Sequence, residues 1–442
     1  MPADPRPRRL STVALTVALA LLSGCVQNPN SVFHSRTDFN RDVGSLFALL
    51  IWLGVIVFVF TEGMLLYAMW KYRSRPGTAH VPKQVHGNTK LEILWTVIPA
   101  VVLAIIAVPT VQTIFKTQDE ARGDALQIEV VGHQWWWEFR YPQYNVSTAN
   151  EVYLPIGRTA NFALRTHDVV HSFWIPGLGG KRDLVNNRTN YIWFTPDSVG
   201  EEAFNGFCAE YCGTSHANMR FKAFTVTAEQ FASWITHQQQ PAAFVLPAPG
   251  ARGAPGAPGA RGAPAAAQSP RGTTAARATT TAAAPAAATQ APQPVQAVQA
   301  VQGGFLAFPS EKMPDYAVPH TPLPAGLSFD TTLVGDVARG AQLVAYGTCI
   351  GCHTVRGAPT AIGTIGPDLT HVGSRLTIAG GLYPNDKTHL GAWIKNARAM
   401  KPGSFMNTLG IGQYDPIVKS TIKIGLTDQQ VADIVAYLQA LK

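Results

Sequence analysis

The sequence predicts a multidomain protein in which a two-helix transmembrane hairpin is followed by an all-β domain, a disordered Ala/Pro linker and an all-α domain. Three observations carry this. Leu46 to Trp70 and Ile93 to Phe115 are apolar runs of about 25 and 23 residues, each long enough to span a bilayer. After them the pattern turns to short β-like stretches punctuated by Pro, Gly and Asn. A stretch almost wholly of Ala, Pro, Gly, Thr and Gln then divides that region from a helical one. At 442 residues the chain exceeds one compact core.

Residues 1–24 read as an export signal, since Arg6, Arg8 and Arg9 precede the apolar run Leu10 to Leu22. Leu22-Ser23-Gly24-Cys25 resembles a bacterial lipobox, which places cleavage before Cys25 and a lipid on its thiol; an ordinary peptidase cut is the alternative. Residues 25–118 hold the hairpin, with helices at about 46–70 and 93–115. Its loop carries Lys71, Arg73, Arg75, Lys83 and Lys90 with no acid, which puts the loop in the cytoplasm and everything beyond residue 116 outside. Much of the net charge of +8 sits in the signal, this loop and the linker, so nucleic acid is not a partner. Glu62 lies inside the first span, where an acid is functional by default, with a helix-packing hydrogen bond the equal alternative.

Residues 119–238 are expected to form a small sandwich or barrel, with Leu126 to Val130 and Asn190 to Phe194 as strands. Residues 239–324 are expected to be a linker, because the stretch from Pro241 to Gly304 has too little apolar surface to offset its ordering entropy. Gly250, Gly253, Gly256, Gly259 and Gly262 recur as in collagen, with too few repeats for a triple helix. About 64 flexible residues span roughly 40–50 Å, which would hold the last domain near the β domain at a millimolar effective concentration. In that last domain, residues 325–442, Asp336 to Tyr346 is helical in character, and Thr427 is a plausible N-cap for a helix through Leu441.

The chemistry lies in the cysteines. Of five, Cys25 belongs to the lipobox and the others form two close pairs. Cys208-Ala-Glu210-Tyr-Cys212-Gly-Thr-Ser-His216-Ala-Asn-Met219 gathers two thiolates, an imidazole and a thioether, a soft set suited to copper and not to magnesium or calcium. A Cys208–Cys212 disulfide is the bland alternative in an exported domain. Cys349-Ile-Gly-Cys352-His353 is the attachment signature of haem c, with zinc or thiol redox use as its alternative.

The first motif resembles the dinuclear CuA motif of cytochrome oxidase subunit II, and the likeness extends over residues of roughly 40 to 237. It implies a cupredoxin-like CuA domain in which Cys208 and Cys212 bridge the coppers, His216 and His171 of Asp168-Val-Val-His171 cap them, Met219 is a weak ligand and Glu210 gives its backbone carbonyl. His133, His167 and His237 lack that context and are read as packing or surface residues. The Glu210 side chain resembles one that helps bind a magnesium ion shared with subunit I. Gly132-His-Gln-Trp135-Trp136-Trp137 is similar to the family's aromatic segment, which makes Trp135 the point where electrons enter. Lys90-Leu-Glu92 resembles the segment at the entrance of a proton channel of subunit I; a carboxylate favoured by the helix dipole is the plain reading. Where the family usually carries Pro-Gly before Arg188 this chain has Asn186 and Asn187, which leaves the turn and the contact of Arg188 with subunit I open.

Gly366-Pro367-Asp368-Leu369 and Lys401 to Met406 resemble the loops of a class I cytochrome c, an all-α fold, and imply Met406 as the second haem ligand in preference to Met400. Together the resemblances imply the electron-input subunit of a caa-type terminal oxidase of a bacterial inner membrane. A cytochrome c or a cytochrome bc complex would be the donor, and subunits I and III the partners. Oxygen would be reduced in subunit I with proton pumping, so no catalytic residue is expected in this chain. The input subunit of a CuA-containing nitric oxide reductase and an exported copper carrier or redox sensor are the alternatives, while a quinol oxidase subunit should lack the copper ligands.

Overall fold

The computed structural model describes residues 30–32, 35–73, 84, 86–118, 120, 121, 123–197, 200–243, 304–358 and 360–442. The export signal, Cys25, Arg75, Lys83 and most of the expected linker lie outside the described residues.

Two helices, α1 (Asp38–Lys71) and α2 (Thr89–Gln118), are long and apolar enough to cross a membrane. Both exceed the apolar runs. At 34 residues α1 is about 51 Å long, against a hydrocarbon core of about 30 Å. The excess is a polar foot: the Thr37 side chain caps α1 by accepting from the Asn40 amide at 3.1 Å. That foot is fastened to the β domain, because Asn40 Nδ2 donates to the Pro176 carbonyl (3.1 Å) and Asp38 accepts from the Thr195 amide (2.8 Å). Lys116 near the end of α2 pairs with Asp42 at 2.5 Å, so the connecting loop lies at the far end of the hairpin.

The β domain is a sandwich of two five-stranded sheets. One runs β3 (Val146–Ala149), β2 (Trp136–Tyr141), β1 (Leu126–His133), β5 (Ala160–Thr166), β8 (Asn190–Phe194). The other runs β4 (Glu151–Pro155), β10 (Arg220–Val226), β9 (Glu202–Cys208), β6 (His171–Trp174), β7 (Arg182–Leu184). β1 pairs β5 and β4 pairs β10 in parallel; the other pairings are antiparallel. Inward residues of both sheets form an aromatic core, with Phe173 and Phe221 stacked at 5.1 Å and Trp137 edge-on to Phe173 at 5.8 Å. Gly206 is required beneath it, since a Cβ there would lie 2.1 Å from the Phe221 ring. Helix α3 (Ala228–Gln239), opened by a Thr227/Gln230 capping box, lays Trp234 on Tyr153 at 4.4 Å.

Residues 304–324 depart from the expected linker. They form a strap on the β domain: Phe308 is buried and stacks on Phe224 at 4.9 Å, its amide donates to Tyr153 Oη (3.1 Å), and the Tyr316 carbonyl accepts from Asn205 (3.0 Å). The last domain therefore continues directly from a segment anchored on the β domain. Its aromatic side chains bury enough apolar surface to order an otherwise proline-rich stretch.

The C-terminal domain is helical. α4 (Val337–Tyr346) starts one residue after the expected boundary, with Asp336 as its N-cap through the Arg339 amide (2.7 Å). α5 (Lys387–Met400) and α6 (Asp428–Ala440) complete it, α6 opening on the Thr427/Gln430 capping box. Gly340 lets α4 and α6 touch, since a Cβ there would lie 2.0 Å from the Asp433 carbonyl oxygen. A short hairpin, β11 (Thr377–Ile378) with β12 (Tyr383–Pro384), sits between the first two of these helices.

Candidate metal centres

The loop after β9 and the start of β6 bring one ligand cluster together. Cys208 Sγ lies 3.7 Å from Cys212 Sγ and 3.8 Å from His171 Nδ1, and Cys212 Sγ lies 3.6 Å from His216 Nδ1 and 3.8 Å from Met219 Sδ. The Glu210 carbonyl oxygen is 3.2 Å from Cys208 Sγ, while its side chain is exposed. The two sulfurs are far beyond the roughly 2.05 Å of a disulfide. Ligand atoms about 2.0–2.3 Å from a metal sit roughly 3.3–3.8 Å apart, so the donor set and its spacing fit copper. The cluster is sealed at its base, His171 and Met219 being fully buried.

Its supports come from remote segments. Asp168 Oδ1 is 2.8 Å from His171 Nε2, which fixes the tautomer and turns Nδ1 to the thiols. Burial opposes charge on His171, yet the bonds to Asp168 and Cys208 outweigh it and raise its pKa. Asp168 Oδ2 accepts from the Gln134 amide (2.7 Å), and Gln134 Nε2 and Trp135 Nε1 both donate to the Cys212 carbonyl (2.8 and 2.9 Å). Asn186 Nδ2 donates to the Asp168 carbonyl (2.9 Å), and Asn187 takes φ 60°, in the left-handed region that Asn tolerates. Gly132 makes room for the imidazole, because a Cβ would lie 2.7 Å from His171 Cδ2. The hydrogen bond from Cys212 holds the Cys208 thiol toward thiolate. His133 stacks on Trp136 at 4.1 Å, His167 is exposed, and His237 packs on His371 at 4.4 Å, so none of the three joins the cluster.

The second cluster lines a cavity of about 440 Å³ in the C-terminal domain, walled by Cys349, Cys352, His353, Leu369, Trp393 and Met406. His353 Nδ1 donates to the Pro367 carbonyl (2.8 Å), leaving Nε2 for a metal, and burial lowers its pKa so that the ring stays neutral. Gly366 lies flat under that ring, a Cβ there falling 2.6 Å from Cε1. Met400 is buried among the helices, away from the cavity wall. Two thiols, one free imidazole nitrogen and a thioether around an apolar hollow fit a covalently bound haem. Trp135 and Trp136 of the β domain also border the cavity, so the two domains meet there.

The known proteins agree with this division. Residues 34–113 match the cytochrome c oxidase subunit II transmembrane domain, 145–226 its periplasmic domain, and 337–442 cytochrome c. Cytochrome c oxidase subunit 2 of Alkalihalophilus pseudofirmus is 30% identical over 377 residues, 84% of this chain and 79% of that protein. The chain belongs to the cytochrome c oxidase subunit II family. Membership makes it a component of an oxidoreductase complex, held in a membrane with an exposed domain, and implies CuA and haem c as its cofactors. Cytochrome c oxidase subunit 2 of Bacillus subtilis is 37% identical over 233 residues, 50% of this chain and 65% of the relative. Quinol oxidase subunit 2 of Bacillus spizizenii is 31% identical over 242 residues, 53% and 73% of the two chains.

Of the membrane acids, Glu92 stands in the first turn of α2 with its carboxylate 3.3 Å from the Asn88 amide, a cap-like contact, and Glu62 is exposed on α1. Arg188 is exposed beside the Asn187 turn. Asp168, Gln134, Asn186 and Lys401 also support the two clusters, though no role for them is evident in the sequence. Their only signal was proximity to the motifs.

Proposed function

We propose that this subunit takes electrons from a cytochrome c or a cytochrome bc complex and delivers them to haem a of subunit I, where oxygen is reduced with proton pumping. The observation that carries this reading is the pair of unbonded thiols, 3.7 Å apart, facing one imidazole each. Likeness along the chain extends to a quinol oxidase subunit; the soft ligand set, suited to copper, supports the reading of a cytochrome donor over a quinol.

Cys208, Cys212, His171, His216, Met219 and the Glu210 carbonyl would hold the copper of CuA. Cys349 and Cys352 would carry the haem, and His353 and Met406 would hold its iron. Bound there, the two groups supply one-electron transfer at nearly fixed geometry. The residues serve that by rigidity: Asp168 orients His171, Pro367 orients His353, and Trp135 links the haem cavity to the Cys212 carbonyl. The exposed Glu210 side chain would offer one ligand to a magnesium shared with subunit I, and Glu92 would stand at a proton entrance on the cytoplasmic side. Cleavage before Cys25 with lipidation, a bacterial inner-membrane location and a subunit III partner complete the proposal, as do domain limits at 118, 238 and 324. Gentle purification from membranes tests it: a haem a-containing partner and cytochrome-driven oxygen uptake are expected, and copper-free protein without a partner would refute it.

A further inference from the structure

We propose that Glu151 is a positioning residue, a latch on the copper domain that seats the haem domain over Trp135 and so reserves the copper site for the chain's own haem. An external c-type cytochrome then gives its electron to the haem domain and is denied the copper domain. The inference rests on the electron path proposed above.

Glu151 opens β4 and is 2% exposed, yet the copper domain supplies little to satisfy it. Its Oε1 accepts three hydrogen bonds, from the Leu376 amide (2.8 Å), the Thr377 amide (2.9 Å) and Thr377 Oγ1 (3.1 Å), all from the haem domain. Lys222, its register neighbour on β10, gives its ammonium to Asn205 at 2.6 Å. Arg375 of the haem domain, half-buried, adds a through-space attraction. A buried carboxylate is costly wherever its partners are absent. Lys222 offers this one a through-space attraction, but its three hydrogen bonds form only when the domains are joined.

The same seam covers Trp135. Lys401 is buried with Nζ on the Trp135 carbonyl (2.5 Å) and the Ala379 carbonyl (3.0 Å), and Ser215 Oγ donates to the Pro402 carbonyl. Gly403, at φ 85°, passes so close that a Cβ would lie 2.8 Å from the indole, and Phe405 stacks on Trp135 at 6.2 Å. Trp135 is 9% exposed as a result. A side chain that received electrons from a diffusing partner would need an open face. Here the loop leading to Met406 occupies it.

The test uses the purified oxidase complex. In E151A the Leu376 and Thr377 amides should exchange hydrogen at least about tenfold faster, because they lose their acceptor. E151Q, whose amide oxygen can take the same three bonds, should stay within about threefold of wild type, and T377A should shift the same amides less than E151A. On rapid mixing with a reduced c-type cytochrome, wild-type copper should be reduced only after haem c, at a rate independent of donor concentration. E151A should slow that step at least about tenfold and add a copper-reduction phase that rises with donor concentration, one electron passing directly from the donor to the copper. Unchanged amide exchange in E151A overturns the latch. A direct copper phase already present in wild type overturns the reservation. If wild-type copper stays oxidised after haem c is reduced, the electron path itself fails, while the exchange result still decides whether Glu151 holds the domains together.

Discussion

Replacing Asp168 by Asn keeps the side chain's size and removes its charge. In the structure this carboxylate accepts from the Gln134 and Val169 amides, both at 2.7 Å, and holds His171 Nε2 at 2.8 Å. Burial pushes its pKa up, but those bonds outweigh it and hold the carboxyl below its ordinary range, so the charge persists at neutral pH. Asn offers one oxygen and one amide group in place of two acceptor oxygens, so at least one donor of the three meets an NH₂. A hydrogen bond to a charged group contributes about 1.5–3 kcal/mol, and losing a carboxylate behind a ligating imidazole typically costs 10–100-fold in metal affinity, about 1.4–2.7 kcal/mol. Asp168→Asn should therefore weaken copper binding about 10- to 100-fold in chelator competition on the purified complex, with haem content unchanged. Affinity within twofold of wild type would refute the view that Asp168 orients His171.

Met406→Ala should abolish the Met-ligated low-spin haem spectrum, whereas Met400→Ala should preserve it and cost about 2–5 kcal/mol of stability; the reverse spectral result would reassign the ligand. Gly366→Ala should displace the His353 ring and lower covalent haem content, measured on denaturing gels stained for haem. Glu92→Ala should slow oxygen reduction while copper reduction by cytochrome proceeds, and unchanged turnover would remove the proton-entrance role. His237 is depressed to about 4 by burial and by the neighbouring His371 and Arg356, so it sits neutral in the seam. Its contribution is therefore present above its free value of about 6.5 and lost as pH falls toward 4; exchange at residues 238–242 should quicken over that window and less so in His237→Phe.

The two side-chain clusters were legible because each is largely local: Cys208 to Met219 and Cys349 to His353 carry most of the donor atoms that the fold brings together within a few residues of one another. The membrane spans were legible in their apolar runs, but not in their polar feet, since Asp38 and Asn40 become helical through contacts with a domain more than a hundred residues away. Nonlocal supports left no pattern. Glu151 and Thr377 belong to no motif, and only the fold joins them. The strap at 304–324 was missed because proline-rich composition was averaged over the whole stretch. Its Phe305, Phe308, Met313 and Tyr316 are the apolar anchors that the preceding Ala/Pro segment lacks.

Single-turnover reduction of the intact oxidase tests the central claim most directly. With one equivalent of reduced cytochrome, absorbance should show haem c reduced first, copper next and haem a last, each step discharging the one before. Reduction of haem a while copper stays oxidised, or haem c that stays reduced once haem a has filled, would contradict it.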